Sequence, residues 1–264
     1  MNLDDMDLKN LIFETHAHYD DEAFDSDRSQ ILNDLLNHGI FRIVNASADL
    51  ISSGKSVELS RQYPYIYAAI GVHPENLSEN ETFDFIDKLK SIALDNKKVV
   101  AIGEIGLDYH YRTDNKDIQK IAFLKQIELA NELNLPVLIH DRDAHGDTLE
   151  ILEKTCPKGV VHCFSGSIEM AKKVTDLGVY LGIGGVVTFK NAKNIVKVIS
   201  DIPLETIVLE TDAPYLAPEP FRGKRCDSSM IKYTAQKIAE IKDVSIDEVL
   251  RITKSNAMNL FGIN

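Results

Sequence analysis

The sequence predicts an α/β protein of the TIM-like (β/α)8 barrel class. Three observations carry that reading. Short apolar runs alternate with longer amphipathic stretches through the whole chain with no long polar linker, which argues for one domain over residues 1–264 built on a parallel sheet. The length of 264 residues is close to the roughly 250 typical of such barrels. The competing architecture, an open doubly wound sheet, expects a Gly-x-Gly-x-x-Gly after its first strand, and this chain has none.

The elements follow in order. Leu11 to Thr15 reads as the first strand, and Asp27 to His38 as a helix stopped by Gly39. Phe41 to Asn45 is the second strand, followed by a helix through Leu59. Tyr65 to Ile70 is the third and leads through Gly71-Val72-His73-Pro74 to a helix opened by Ser78-Glu79-Asn80-Glu81, a capping-box pattern. Val99 to Ile102 is the fourth. The long helix after it places Phe123, Leu124, Ile127 and Ala130 at intervals of three and four. The fifth strand, Val137 to Ile139, is entered through Pro136, which suits a strand start because it has no N–H to give a ladder. Val160 to Val161, Val179 to Ile183 and Thr206 to Leu209 complete the eight. Ser245-Ile246-Asp247-Glu248 is a second capping box, opening a terminal helix with Val249, Leu250 and Ile252.

With 44% hydrophobic and 27% charged residues the chain has an ordinary globular composition. Its amino terminus, Met1-Asn2-Leu3-Asp4-Asp5-Met6, is acidic and lacks the apolar core of a secretory signal. No apolar run approaches the roughly 20 residues that span a bilayer, so no membrane association is expected. Cys156, Cys163 and Cys226 are odd in number and lack Cys-x-x-Cys spacing, as expected for reduced thiols in the cytoplasm. The net charge of −12 counts against a tight, non-specific polyanion binder, because phosphate affinity rests on Lys and Arg. Bound cations can nevertheless dominate the field of a site.

The chemistry gathers at the strand ends. His16 and His18 lie two apart where the first strand finishes, so their side chains fall on one side. Glu104 follows strand four, His140 strand five, His162 strand six and Asp212 strand eight. Each position alone has an ordinary explanation as a loop acid, a turn-forming carboxylate or a hydrogen-bonded imidazole. Together they place four imidazoles and two carboxylates at the C-terminal mouth, where barrels carry their active sites. That donor set suits two borderline divalent ions such as Zn2+, Mn2+ or Co2+, whereas Mg2+ prefers more oxygen ligands. His73, before Pro74 at the end of strand three, points toward the same mouth as a candidate substrate contact. His38, His110 and His145 read as surface or helix-end residues.

The motifs carrying these residues resemble those of the TatD family of metal-dependent hydrolases, commonly described as deoxyribonucleases. Glu14-Thr15-His16-Ala17-His18, Gly103-Glu104-Ile105-Gly106-Leu107-Asp108-Tyr109, His162-Cys163-Phe164-Ser165-Gly166, Glu210-Thr211-Asp212-Ala213-Pro214-Tyr215-Leu216 and Arg222-Gly223-Lys224-Arg225 stand in the family's order and spacing. The resemblance runs on to Asn256-Ala257-Met258-Asn259-Leu260-Phe261. It implies a two-metal site: His16, His18, Glu104 and Asp212 for one ion, Glu104, His140 and His162 for the other, with Glu104 bridging. The chain departs from the family pattern at Glu14 (usually Asp), at Glu75 (often His) and at Cys226-Asp227 (usually Asn-Glu).

The resemblance further implies phosphodiesterase activity on DNA, on single strands or 3′ ends. A metal-activated water would attack phosphorus, with Asp212 orienting it and taking its proton and Glu104 holding both ions. Arg142, Lys190, Arg222 and Arg225 are the cations available to the phosphate chain. Two other readings use the same residues. One is an esterase or deacylase acting on aminoacyl-tRNA or a small ester or amide. Many related amidohydrolases carry a carbamylated lysine after strand four, where this chain has Glu104. The other is a non-catalytic metal- and nucleic-acid-binding protein, which would require a missing donor or a blocked mouth.

Overall fold

A computed structural model describes residues 11–111 and 113–263. The amino-terminal segment read above as lacking a signal lies outside the described residues. Eight parallel strands pair in sequence order, β1 to β8, and alternate with helices. The strands are β1 Ile12–Ala17, β2 Ile40–Asn45, β3 Ile66–Ile70, β4 Val99–Asp108, β5 Val137–Arg142, β6 Gly159–Val161, β7 Tyr180–Ile183 and β8 Ile207–Leu209. The helices are α1 Arg28–Asp34, α2 Leu50–Gln62, α3 Phe85–Asp95, α4 Lys116–Leu133, α5 His145–Thr155, α6 Ile168–Asp176, α7 Lys193–Asp201, α8 Ile231–Lys242 and α9 Ile246–Phe261. None of them is long and apolar enough to cross a membrane among the described residues.

The ring closes where β8 meets β1, largely through bonds made just past the strand ends. Asp212 N donates to His16 O (3.0 Å) and His18 N to Ala213 O (2.7 Å). Beneath them the buried Glu14 carboxylate crosses the seam, accepting from Thr211 N (3.0 Å) and Thr211 Oγ1 (2.6 Å) as well as from His16 N (3.1 Å). The seam thus fixes the backbone of β1 against the loop that carries Asp212.

The apolar residues separate into two clusters. The larger lies between the strands and the surrounding helices. The smaller takes Phe13, Val44, Ala69, Ala101, Leu138, Val160 and Val208 from seven strands of the ring, with Tyr180 of β7 packed against them. A set drawn from all round the ring lies inside it. Leu260, Phe261 and Ile263 join this inner cluster, and the Phe13 and Phe261 rings stack at 5.7 Å. The end of α9 therefore packs with the apolar interior. The polar residues are left to the opposite end, where the strands finish.

Two local expectations are corrected. Ser78 and Glu81 do bond, the Glu81 carboxylate accepting from Ser78 N and Oγ (3.3 and 3.2 Å), but they form a turn and no helix starts there. Phe83 takes a left-handed φ of 61°, which breaks helical continuity, and α3 begins only at Phe85. Strand four does not stop at Ile102 but runs to Asp108, pairing with β5 as far as Arg142. Gly106 permits this: it has φ +145°, and a Cβ there would lie 2.0 Å from His140 O. By contrast Ser245 caps α9 as expected, accepting from Glu248 N at 3.1 Å.

Candidate metal centre

All six predicted donors, and His73 with them, converge at the C-terminal mouth of the barrel. Glu104 sits at their centre, its backbone N held by Ser47 O at 2.7 Å. Its Oε2 faces His16 Nε2 at 3.3 Å and His18 Nε2 at 3.5 Å. Those two nitrogens are 3.2 Å apart, and Asp212 Oδ1 lies 3.3 Å from His18 and 3.8 Å from His16. Its Oε1 faces His140 Nδ1 and His162 Nε2, each at 2.8 Å, and these are 3.2 Å from one another. The His16 and His162 rings stack face to face at 4.0 Å and so join the two sets.

These separations fit a metal-binding donor set. An ion holding N and O donors tetrahedrally at about 2.1 Å keeps them roughly 3.4 Å apart. Three groups of His, Glu and Asp among these residues bring their donor atoms within 4.8 Å of one another: His16, His18 and Glu104; His16, His162 and Asp212; His73, Glu104 and His140. His73, expected as a substrate contact, thus belongs to a donor group, with Nε2 3.6 Å from Glu104 Oε1. Its Nδ1 is turned away, accepting from Glu75 N.

The imidazoles are aimed from behind. His18 Nδ1 lies 3.0 Å from Ala46 O, leaving Nε2 to face the centre. His140 Nε2 lies 3.0 Å from Asp108 Oδ2, so in this ring Nδ1 faces inward. Such outer partners fix tautomer and ring orientation in metal sites. His16 Nδ1, His162 Nδ1 and Glu210 Oε2 are buried with no hydrogen-bond partner. Glu210 lies under His162, with Oε1 3.8 Å from His162 Nδ1 while accepting from Cys163 N. A Cβ on Gly182 would lie 2.3 Å from Glu210 Oε2, so glycine there makes room for the carboxylate.

Charge in the site follows this geometry. Burial opposes the Glu104 anion, but four imidazoles hold it well below the ordinary carboxylate range. Burial likewise works against a charged His18, yet Asp212 and Glu104 push it up to about 9. His140, flanked by Asp108 and Glu104, is pushed up to about 10 against the same penalty. His16 falls to about 4 through burial and its neighbour His162, and His73 to about 3 chiefly through burial. Asp212 is held below its usual value, mainly by His18, despite burial. The Glu104 and Asp212 carboxylates thus stay ionised beside the imidazoles, and His18 and His140 must release their protons for a cation to take their place. Asp212 also has a left-handed φ of 62°, a conformation uncommon outside glycine that recurs at functional sites.

The cavity over this centre has a volume of about 620 Å³, and Asp20, Asp21, Glu75, Tyr111, Arg142, Tyr215 and Leu216 are among its walls. Of the expected substrate cations Arg142 alone lines it. Lys190 is exposed in the loop after β7, and Arg222 packs its guanidinium 4.4 Å from the centre of the Phe189 ring. Arg225 is tied down: it donates to Asp27 Oδ1 and Oδ2 (2.9 and 2.5 Å) and to Ala23 O (2.6 Å). Asp108 and Glu210 were not singled out from the sequence. A usable signal was there, since Asp108 repeats the spacing of Glu104 along one strand face and Glu210 stands two before Asp212.

The family model described as TatD related DNase matches residues 13–262. The uncharacterized metal-dependent hydrolase YabD of Bacillus subtilis (strain 168) is 42% identical over 259 residues, covering 96% of this chain and 100% of that one. The uncharacterized metal-dependent hydrolase YcfH of Escherichia coli (strain K12) is 41% identical over 197 residues, 74% of this chain and 73% of its own. Among solved structures, the TatD homolog YJJV of Escherichia coli K12 superposes with a TM-score of 0.89 at 28% identity, covering 97% of this chain and 99% of that one.

Proposed function

Because this chain belongs to the TatD family of metal-dependent hydrolases, we propose that it cleaves phosphodiester bonds of DNA, as a 3′–5′ exodeoxyribonuclease on single strands. We further propose that it does so with two divalent ions. The observation that carries the reading is the division of one carboxylate. Glu104 turns Oε2 to His16 and His18 and Oε1 to His140 and His162, the arrangement a carboxylate needs to hold two cations side by side. His16, His18, Asp212 and Glu104 would hold one, and His140, His162 and Glu104 the other.

Bound there, divalent ions lower the pKa of water toward neutrality and stabilise charge on phosphoryl oxygens. Asp212 reaches the cavity while remaining ionised. It would therefore orient a water by accepting its hydrogen bond and take its proton as the new O–P bond forms, while the P–O bond to the departing sugar oxygen breaks and that oxygen takes a proton from solvent. His18 keeps Asp212 in place from one side. Arg142 at the wall is placed to meet the phosphate chain.

The direct test is hydrolysis of end-labelled single-stranded DNA by chelator-stripped protein, with Mg2+, Mn2+ or Zn2+ added back. Turnover that appears only with ions and shortens the strand from its 3′ end supports the reading. Full activity in the stripped protein, or none with any ion, overturns it. Asp212→Asn should lower the rate by about 10²- to 10⁴-fold, the usual worth of a positioned base.

A second reading rests on the acidic walls. Asp20, Asp21 and Glu75 surround the mouth with one opposing cation, Arg142, which favours a substrate less anionic than DNA, such as an aminoacyl or other carboxylic ester. Parallel assays on single-stranded DNA, aminoacyl-tRNA and simple esters decide between the two.

A further inference from the structure

We propose that Tyr111, Tyr215 and Leu216 form a stacking rim that holds the unpaired base of a nucleic-acid end above the donor centre. The inference deepens the phosphodiester reading and rests on it, since it names the part of the substrate the mouth recognises. Tyr111 is 60% exposed, Tyr215 53% and Leu216 38%. All three line the cavity that holds His18, Glu104, His140 and Asp212. The other large exposed apolar side chains among the described residues, Leu36, Ile51, Leu94 and Ile121, fall on four different helical segments around the barrel. Isolated exposure of that kind is ordinary, whereas clustering on the rim of a polar cavity marks a binding surface.

The two tyrosines are held in position. Tyr215 donates its hydroxyl proton to Asp21 Oδ2 at 2.8 Å, and the His18 ring meets it edge-on at 6.5 Å between centroids. The Arg142 guanidinium lies 4.5 Å from the centre of the Tyr111 ring, with the edge-on His110 ring 4.8 Å away. Tyrosine adds broad contact area at low entropic cost because few torsions must be fixed.

Charge decides what such a rim can hold. Asp20, Asp21 and Glu75 make the wall repel a long phosphate chain, and Arg142 alone opposes them there. Away from the donor centre, attraction must come from an uncharged part of the substrate. The base has such a surface, a flat face that stacks on aromatic side chains with little regard to sequence. In a duplex that face is covered by neighbouring bases, and only an end or an unstacked single strand offers it. The rim therefore selects termini of single strands, and the occupant is a nucleobase next to the phosphodiester under attack.

The test is anisotropy of a 5′-dye-labelled single-stranded oligonucleotide whose 3′-terminal linkage is a slowly cleaved phosphorothioate, in the presence of Mn2+. It is compared with the same strand ending in an abasic residue. The wild type is expected to prefer the base-bearing end by about 5- to 150-fold, the range that base–aromatic stacking supports. Tyr111→Ala and Tyr215→Ala should each reduce that preference toward unity, and Tyr111→Phe and Tyr215→Phe should restore it. Equal binding of both strands by the wild type, or an undiminished preference in the alanine variants, overturns the proposal. Turnover of the all-phosphodiester strand is followed in parallel. Cleavage without base preference removes the rim and leaves the phosphodiester reading. Base preference that depends on the tyrosines, without cleavage under any ion, removes the phosphodiester reading and leaves the rim.

Discussion

Asp108 sets the tautomer of His140. Its Oδ2 lies 3.0 Å from His140 Nε2, while its Oδ1 accepts from the backbone N of His110 and of Tyr111, each at 2.9 Å. With Oδ1 committed to those two amides, Asp108→Asn would turn its NH2 group toward His140. The ring would then have to accept at Nε2 and carry its proton on Nδ1, the atom facing Glu104. A protonated nitrogen cannot ligate. The affinity of the Glu104–His140–His162 site should therefore fall by about 10- to 100-fold, the usual cost of losing an outer partner. Competition against a chromophoric chelator checks this. The His16–His18–Asp212 set should keep its ion, and two undiminished affinities would remove Asp108 from this role.

Binding of ions should stabilise the fold without creating it. The barrel interior is filled by Phe13, Ala69, Leu138, Val208, Leu260 and Phe261, none of which needs a cation to pack. Chelator-stripped protein should keep its far-ultraviolet circular dichroism. Added Mn2+ or Zn2+ should raise the melting temperature, by linkage to about 2.7 kcal/mol at a hundredfold excess over Kd. Glu104→Gln touches both donor sets and should abolish most of that rise. A full rise in the variant would mean that the ion binds elsewhere.

How much of this was legible in the sequence can be traced residue by residue. The alternation of apolar runs gave the barrel, and a donor at the end of each of five strands needed only the rule that strand ends gather at one mouth. Asp108 escaped because Gly103 and Gly106 read as turn residues, which ended strand four at Ile102. Only the approach of His140 O to Gly106 reveals why glycine is there inside a strand. Arg225 misled in the opposite direction. Its neighbours suggest a phosphate-binding cluster, but its partner Asp27 stands 198 positions away, beyond any local pattern. Glu14, noted in the sequence only as a departure from the family pattern, bonds across the barrel seam to Thr211, 197 positions away.

Asp147 supplies a pH test away from the centre. It accepts from Tyr109 Oη at 2.6 Å and pairs with Lys120 Nζ at 2.7 Å, tying α5 to the end of β4 and to α4. The Lys120 and Tyr109 hydrogen bonds lower its pKa. In the unfolded chain the carboxyl binds protons more readily, so its contribution is present above the unfolded pKa and is lost as pH falls through the folded one. The group is about one-third exposed, and solvent screening limits the effect to below about 1 kcal/mol. Denaturant unfolding of Asp147→Asn should show that deficit at neutral pH, and the deficit should shrink as pH falls below the ordinary aspartate range and through the lowered folded pKa. A deficit independent of pH would mean that packing, and not charge, is what was lost.

The acidic mouth makes a final prediction about salt. Each phosphate neutralised on a single strand adds about −0.7 to the slope of log K against log salt concentration. With Arg142 the single Lys or Arg among the cavity walls, the slope should reflect one or two phosphates. Arg142→Ala should make it shallower by about 0.7, the loss of one contact. Arg225→Ala is the informative contrast, because that guanidinium is already bound to Asp27 and Ala23. It should lower the melting temperature slightly and leave the slope unchanged. A steep slope in the wild type, or one that Arg225→Ala reduces as much as Arg142→Ala does, would mean that the phosphate chain runs along the Arg222–Arg225 loop and not across the rim.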